Sequence, residues 1–272
     1  MITIVTDSSS YLTQAEAAAL GVVMVPMNYS IGRAVYPEAF VDQERRFEHI
    51  LDGAPATLHT SQATLSAFMS TFEGLRVRGQ EILCLTISSR LSGTYGNALV
   101  AARDLGGSGI AVVDSRTTAA GLYLLIRAAR RLCDQGLSLE EVARRVSALR
   151  DQVHLVFSVD DIGPLRRSGR LGGIKLSVST ILNIHPMLRC QEGAIIATGV
   201  TRGRHEQQRQ LIYSIPSRVK DIAVQHYHAE AQLTSIIRQL RDSGKNVNVR
   251  GIGPVLAVHL GKGCIGVAWL EN

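Results

Sequence analysis

Aromatic residues are scarce: one Trp, seven Tyr and five Phe make up 5% of the 272 residues. Nucleic-acid surfaces interleave basic and aromatic side chains. The arginines here are scattered without such neighbours, so nucleic-acid binding is not expected, although the net charge is +6 and the pI near 9.4. A positive balance favours anionic partners in general. Cysteine is also sparse. Cys84, Cys133, Cys190 and Cys264 lie far apart and form no metal-ligand spacing. Cys84 and Cys264 fall in apolar, strand-like runs, where a thiol behaves as a small buried hydrophobe. His226 and His228 alternate on one strand face but have no third ligand nearby, so no metal is expected. No apolar run reaches the ~18 residues that a membrane span needs. The sequence opens on a strand-like run, Ile2 to Val5, without a basic leader or an apolar signal region. A cytoplasmic location with free thiols is expected.

Several enzyme signatures are missing too. There is no G-x-x-x-x-G-K-[ST] phosphate loop and no G-x-S-x-G nucleophile elbow. Gly261, Gly263 and Gly266 satisfy G-x-G-x-x-G, but that fingerprint must open a helix inside a βαβ unit. Only six residues follow Gly266. No cofactor is expected.

What is present is a chain that is 46% hydrophobic, enough to build a sizeable core in one large or two ordinary domains. Its first half alternates strands with helices. Strands are expected at 2–6, 21–25, 82–87 and 110–113. Helices are expected at 14–20, 45–51, 65–74, 95–105, 119–134 and 139–149. Gly21 stops the first helix, and Ser138 with Glu141 forms a capping box for the last. This alternation predicts a mostly parallel sheet covered by helices. From about residue 152 the pattern changes. A strand at 155–159 leads into a basic, Gly-punctuated segment, 164–175. Hairpins are expected at 184–200, around Gln191-Glu192-Gly193, and at 255–270, around Gly261-Lys262-Gly263. Helices at 204–215 and 229–242 and strands at 222–227 and 247–250 lie between them. The fold class is α/β, with two domains: 1–151, a mostly parallel sheet covered by helices, and 152–272, a mixed α+β domain.

Ligands of such sheets bind at the carboxyl ends of strands. Polar turns follow strands or apolar runs at Asp7 to Ser10, Thr60 to Gln62, Ser88 to Thr94 and Asp114 to Thr117. In the third, Ser92 can turn its hydroxyl toward an anion at a helix N-terminus, and Gly93 would let a ligand approach the backbone. The same residues serve equally well as an ordinary helix cap. Thr60-Ser61-Gln62 repeats the pattern before another helix. Asp7 could hold a phosphate or a metal, but with one carboxylate and no partner it reads better as a capping residue. Arg170 closes a basic turn and could grip a carboxylate or phosphate through its planar fork. His259 is expected in an apolar strand, either as a core histidine or as an anion-binding imidazole.

Taken in order, these pieces resemble the DegV family of bacterial fatty-acid-binding proteins. The resemblance rests on Thr6-Asp7-Ser8, Thr60-Ser61-Gln62, the run from Ile87 to Tyr95 (I-S-S-R-L-S-G-T-Y), Val113-Asp114-Ser115, Arg166 to Arg170, Asn183-Ile184-His185-Pro186, Gly253-Pro254-Val255, and His259 to Gly263. It implies an acyl chain in a tunnel between or beside the domains, with its carboxylate held by Thr60 and Ser92. Ser61, Gly93, Thr94, Arg170 and His259 would form or support the headgroup network. It further implies no catalytic residue in this chain: a separate ATP-dependent fatty acid kinase subunit converts the presented carboxylate to an acyl phosphate for phospholipid synthesis. Ala63, Lys262 and Ser168 stand where the family usually shows Pro, Pro and Gly. Two other readings remain: an acyl hydrolase or transferase with Ser92 as nucleophile and His259 as base, and a lipid-sensing regulator.

Overall fold

Strand β1 (Ile2–Asp7) is buried along its whole length, as a parallel strand covered on both faces must be. It occupies an inner position of a four-stranded sheet in the computed structural model, which describes residues 1–43, 58–172 and 183–271. Helix α1 (Gln14–Leu20) crosses to β2 (Val22–Val25) and ends on Gly21, which adopts φ 60°. Thr13 and Glu16 form a reciprocal capping box at its start. Three short strands, β3 (Asn28–Ile31), β4 (Ala34–Pro37) and β5 (Leu58–Ser61), pair antiparallel in a small separate sheet. The chain then returns through α2 (Leu65–Val77), β6 (Glu81–Thr86), α3 (Thr94–Asp104) and β7 (Ile110–Asp114). The order β2-β1-β6-β7 is parallel throughout.

Helices α4 (Ala119–Cys133) and α5 (Leu139–Leu149) follow. Every residue of α4 from Ala119 to Ile126 is buried. A helix that is apolar on all sides in its first half belongs inside a core. Here it packs between the first sheet, on β1 and β6, and a second sheet built from residues 153–270. That second sheet contains β8 (Val153–Ser158), β9 (Ile184–Gln191), β10 (Ala194–Arg202), β11 (Asp221–Tyr227), β12 (Asn246–Gly251) and β13 (Cys264–Leu270). Its order is β10-β9-β8-β13-β11-β12, antiparallel except for β11 with β12. Helices α6 (Gly163–Arg167), α7 (Arg204–Tyr213), α8 (Glu230–Asp242) and α9 (Pro254–Leu260) connect these strands. The β9–β10 hairpin turns on Glu192 (φ 47°) and Gly193 (φ 81°), the paired positive φ values of a tight primed turn.

Three expectations need correction. The run Val255 to Leu260 is a helix, not one arm of a hairpin. Pro254 suits a first helical position, and the first turn's N–H groups are capped from far away: Glu38 accepts from Val255 N–H at 2.8 Å and the Tyr11 hydroxyl from Leu256 N–H at 3.1 Å. β13 therefore pairs with β8 and β11 instead. Thr60 and Ser61 end strand β5, and it is Thr64 that caps α2. Finally, Ser138 accepts from Glu141 N–H, but the Glu141 carboxylate turns to Arg144 and Arg145 rather than closing the box. The expected helix at 45–51 and the end of the basic segment, 173–175, lie outside the described residues.

Cys84 and Cys264 are fully buried, and burial pushes both thiols far up, so neither is a thiolate at neutral pH. Arg250, on β12, is a buried polar tie between the two halves of the chain. It is 4% exposed, donates to the Tyr11 carbonyl and the Glu16 carboxylate, and lies 3.8 Å over the Tyr123 ring.

Candidate functional site

Two chain segments and one helix meet at the carboxyl end of the parallel sheet. The first segment is the turn after β6. Asp7, fully buried at the end of β1, accepts the Ile87 N–H on one carboxylate oxygen at 2.6 Å and the Ser9 N–H and hydroxyl on the other. Burial raises the Asp7 carboxyl above its usual value, opposed by those hydrogen bonds. Asp7 is thus a turn-holding residue that also pins the strand end leading to Ser92. The next residue, Ser8, donates to Glu38, whose other oxygen caps α9. One turn, Asp7 to Tyr11, therefore holds both the Ser92 loop and the helix that carries His259.

At the mouth itself, the Thr60 hydroxyl is 2.7 Å from His259 Nε2. The Ser92 and Thr94 hydroxyls are 2.9 Å apart, and Thr94 Oγ1 also accepts the Ala63 N–H at 3.3 Å. A proline at position 63 would lack that donor. Gly93 starts α3 with an unstrained φ of −71°. A Cβ there would meet Gln62 Oε1 at 2.1 Å, so its small size admits the Gln62 side chain. Arg170 is exposed and donates to the carbonyls of Ser168 (2.5 Å) and Leu91 (3.4 Å). Ser61 is exposed and half-buried Thr60 faces His259. His259 is strongly depressed, to about 4, by burial first and by the charge of Arg170 second. Its imidazole is neutral at pH 7. Ser92 and His259 are not hydrogen-bonded to one another; each has a different hydroxyl partner.

Behind this mouth lies a cavity of about 290 Å³, walled by both halves of the chain. Met27, Ile87 and Leu91 come from the first half, and Leu155, Phe157 and Ile195 from the second. An outer cleft of about 530 Å³ shares Thr60, Arg170 and His259 with it. Those three residues accordingly form a wall common to both spaces. Thr60, Ser61, Ser92, Gly93, Arg170 and His259 all line the first cavity, and Thr94 joins them through Ser92. The sequence reading did not single out Glu38, whose role depends on contacts more than two hundred residues away, nor Thr118 and Gln225, which line the cavity wall. Among the described residues, no cluster of His, Cys, Asp or Glu could hold a metal, and no helix is long and apolar enough to cross a membrane.

Two sheets around a shared helix thus enclose a mostly apolar cavity that opens on hydroxyls and an imidazole. The chain belongs to the DegV family, whose model, described as uncharacterised protein of the DegV family, matches residues 1–272. A DegV domain-containing protein of Deinococcus radiodurans is 32% identical over 278 residues, spanning 98% of this chain and 97% of that protein. A DegV family protein from Thermus thermophilus, whose structure is described for fatty acid binding, is 29% identical. It superposes with a TM-score of 0.88, covering 100% of this chain and 99% of that one. A DegV lipid binding protein from Thermotoga maritima shares the fold at a TM-score of 0.90 and 22% identity, covering 100% and 99% of the two chains.

Proposed function

We propose that this chain is a cytoplasmic carrier that binds a long-chain fatty acid, with the tail in the cavity and the carboxylate at Thr60 and Ser92. The observation that carries this reading is the apolar cavity ending at a mouth of hydroxyls, His259 and Arg170. Each buried methylene contributes about 0.8 kcal/mol, so the tail supplies most of the affinity. A carboxylate taken out of water needs donors, and the two hydroxyls and the cation provide them. Lipid extraction and mass analysis of the purified protein tests the reading. An intact fatty acid, co-purified or acquired on incubation, is expected; a ligand inventory empty of fatty acid after incubation would overturn it.

Protonation of His259 gives an independent check. In the free protein its value is near 4, whereas in the unfolded chain it is about 6.5. Between those values the unfolded chain binds more protons, so stability present above pH 6.5 is lost as the pH falls toward 4. A carboxylate seated beside the ring favours the imidazolium and raises its pKa. Fatty acid binding at pH 5.5 is therefore expected to take up protons. Titration calorimetry in buffers of different ionisation heat measures this, and His259→Ala should abolish it. Uptake that persists in the variant would remove His259 from the headgroup site.

The outer cleft supports a second part of the proposal. It reaches Thr60, Arg170 and His259 from a second side, which suits presentation to a separate ATP-dependent kinase subunit. Arg170, exposed beside His259, would stabilise the charge that develops during phosphoryl transfer. Arg170→Ala is expected to retain fatty acid binding and to lower acyl-phosphate formation with the kinase. Unchanged phosphorylation would exclude this role. A carrier is favoured over a Ser92 hydrolase because Ser92 pairs with Thr94 and His259 with Thr60, so Ser92 has no base hydrogen-bonded to it.

A further inference from the structure

A second recess, away from the acyl cavity, is lined mainly by cations. It has a volume of about 240 Å³ and lies between the second half of α4, the loop that enters β11 and the end of β13. Arg127 and Arg131 line it from the helix and Arg218 and Lys220 from the loop, and Asp221 is the one carboxylate among its lining residues. Leu124, Arg127 and Arg131 recur at intervals of three and four, which puts them on one face of α4. Thr118, in the wall of the acyl cavity, stands at the opposite end of that helix. At 1.5 Å per residue, Arg127 is about 14 Å further along the axis.

The charges do not balance within the protein. Asp221 accepts from the Asn246 amide at 3.0 Å, and Arg218 pairs with Glu271 at 3.0 Å. Arg127, Arg131 and Lys220 have no carboxylate within ion-pair distance among the described residues. Arg127 instead lies 5.6 Å from the centre of the neutral Tyr123 ring. Arg130, next to Arg131, does pair, with Asp134 at 2.9 Å. A helix C-terminus favours cations, which accounts for Arg131 in the last turn of α4 but not for Arg218 and Lys220 on the loop. The loop is held in place from behind. Lys245 Nζ donates to the carbonyls of Pro216, Ser217 and Val219 at 3.3, 2.7 and 2.5 Å. These bonds fix the backbone that carries Arg218 and Lys220 and add a further cation nearby. Burial first and the charge of Lys220 second lower the Lys245 pKa.

We infer that this recess is a second ligand site, for a diphosphate group, free or carried by a larger molecule. Guanidinium forks match phosphate oxygens, and a multiply charged anion relieves the repulsion among cations gathered on one wall. Size sets the class. A cavity of about 150 Å³ holds benzene, roughly 25 Å³ for each heavy atom, so this recess takes about ten, the size of a diphosphate and about twice that of orthophosphate. A concave site also suits a small anion better than the face of a bilayer.

Titration calorimetry of the full chain with pyrophosphate, orthophosphate and ADP tests the site. Pyrophosphate is expected to saturate one site and to bind about tenfold tighter than orthophosphate. Arg131→Ala with Lys220→Ala, both at exposed positions, should weaken it at least about tenfold, because each removes a charged contact. The melting temperature without ligand should not change. Arg238→Ala with Arg241→Ala, exposed on α8, makes the same change in net charge and should leave the affinity as it was. ADP binding tighter than pyrophosphate supports a nucleotide as the source; weaker binding supports the free diphosphate. Absence of saturable pyrophosphate binding overturns the site, and so does an equal loss in both double variants, which would mean diffuse charge. Vesicles containing phosphatidylglycerol that are bound through Arg131 and Lys220, with no binding of pyrophosphate, would replace it with a membrane surface.

Discussion

Replacing Thr60 by Val and Ser92 by Ala together should weaken fatty acid binding at least a hundredfold while leaving the fold intact. Each hydroxyl would donate to a charged oxygen, and a hydrogen bond to a charged group is worth about 1.5–3 kcal/mol. Two such losses amount to about 3–6 kcal/mol, which is two to four decades in affinity. Neither side chain is deep in the core: Thr60 ends an outlying strand and Ser92 sits in a partly open loop. The loss should therefore appear in binding and not in melting temperature. The corresponding fatty alcohol serves as the control. It lacks the carboxylate, so its weaker binding should fall far less in the double variant. Equal losses for acid and alcohol would mean that the two hydroxyls shape the cavity rather than hold a charge.

The largest effect on stability is expected at Arg250. Its guanidinium is almost fully buried, spans the Tyr11 carbonyl and the Glu16 carboxylate, and stacks on Tyr123. Burial alone would raise Glu16, but the hydrogen bonds and charge of Arg250 outweigh it and hold the carboxyl below its ordinary value. Removing one member of such a pair strands the other, and Arg250→Ala is expected to cost about 3 kcal/mol. For a chain of this size that lowers the melting temperature by roughly 6–12 °C. Arg250→Lys should recover only part, because an ammonium cannot fork between two acceptors or stack flat on the ring. A drop of under 1 °C for the Ala variant would show that the tie contributes little.

How far the sequence announces all this depends on how local each determinant is. The parallel sheet is legible because its strands are continuous apolar runs between periodic helices, and Gly21 marks a helix end by conformation alone. Helix α9 is not legible. A run of five apolar residues and one histidine suits a strand or a short helix equally, and the choice is made by Glu38 and Tyr11 from the other half of the chain. The sheet of β3, β4 and β5 is missed for a similar reason: strands of four residues with mixed burial carry almost no period. At the site, Thr60, Ser92, Arg170 and His259 are visible as an ordered set of motifs, although Thr60 is on a strand and His259 on a helix. Thr118 and Gln225 leave no such trace, because their place in the cavity wall arises only when the two halves of the chain pack together.

Helix α4 has a consequence for the chain as a folding unit. It precedes residue 151, yet much of its surface is roofed by β8, β11 and β13. A fragment cut at 151 would carry that apolar surface into water and be driven to aggregate. The two sheets should therefore unfold together in one calorimetric transition, with a filled cavity shifting the whole melt rather than half of it.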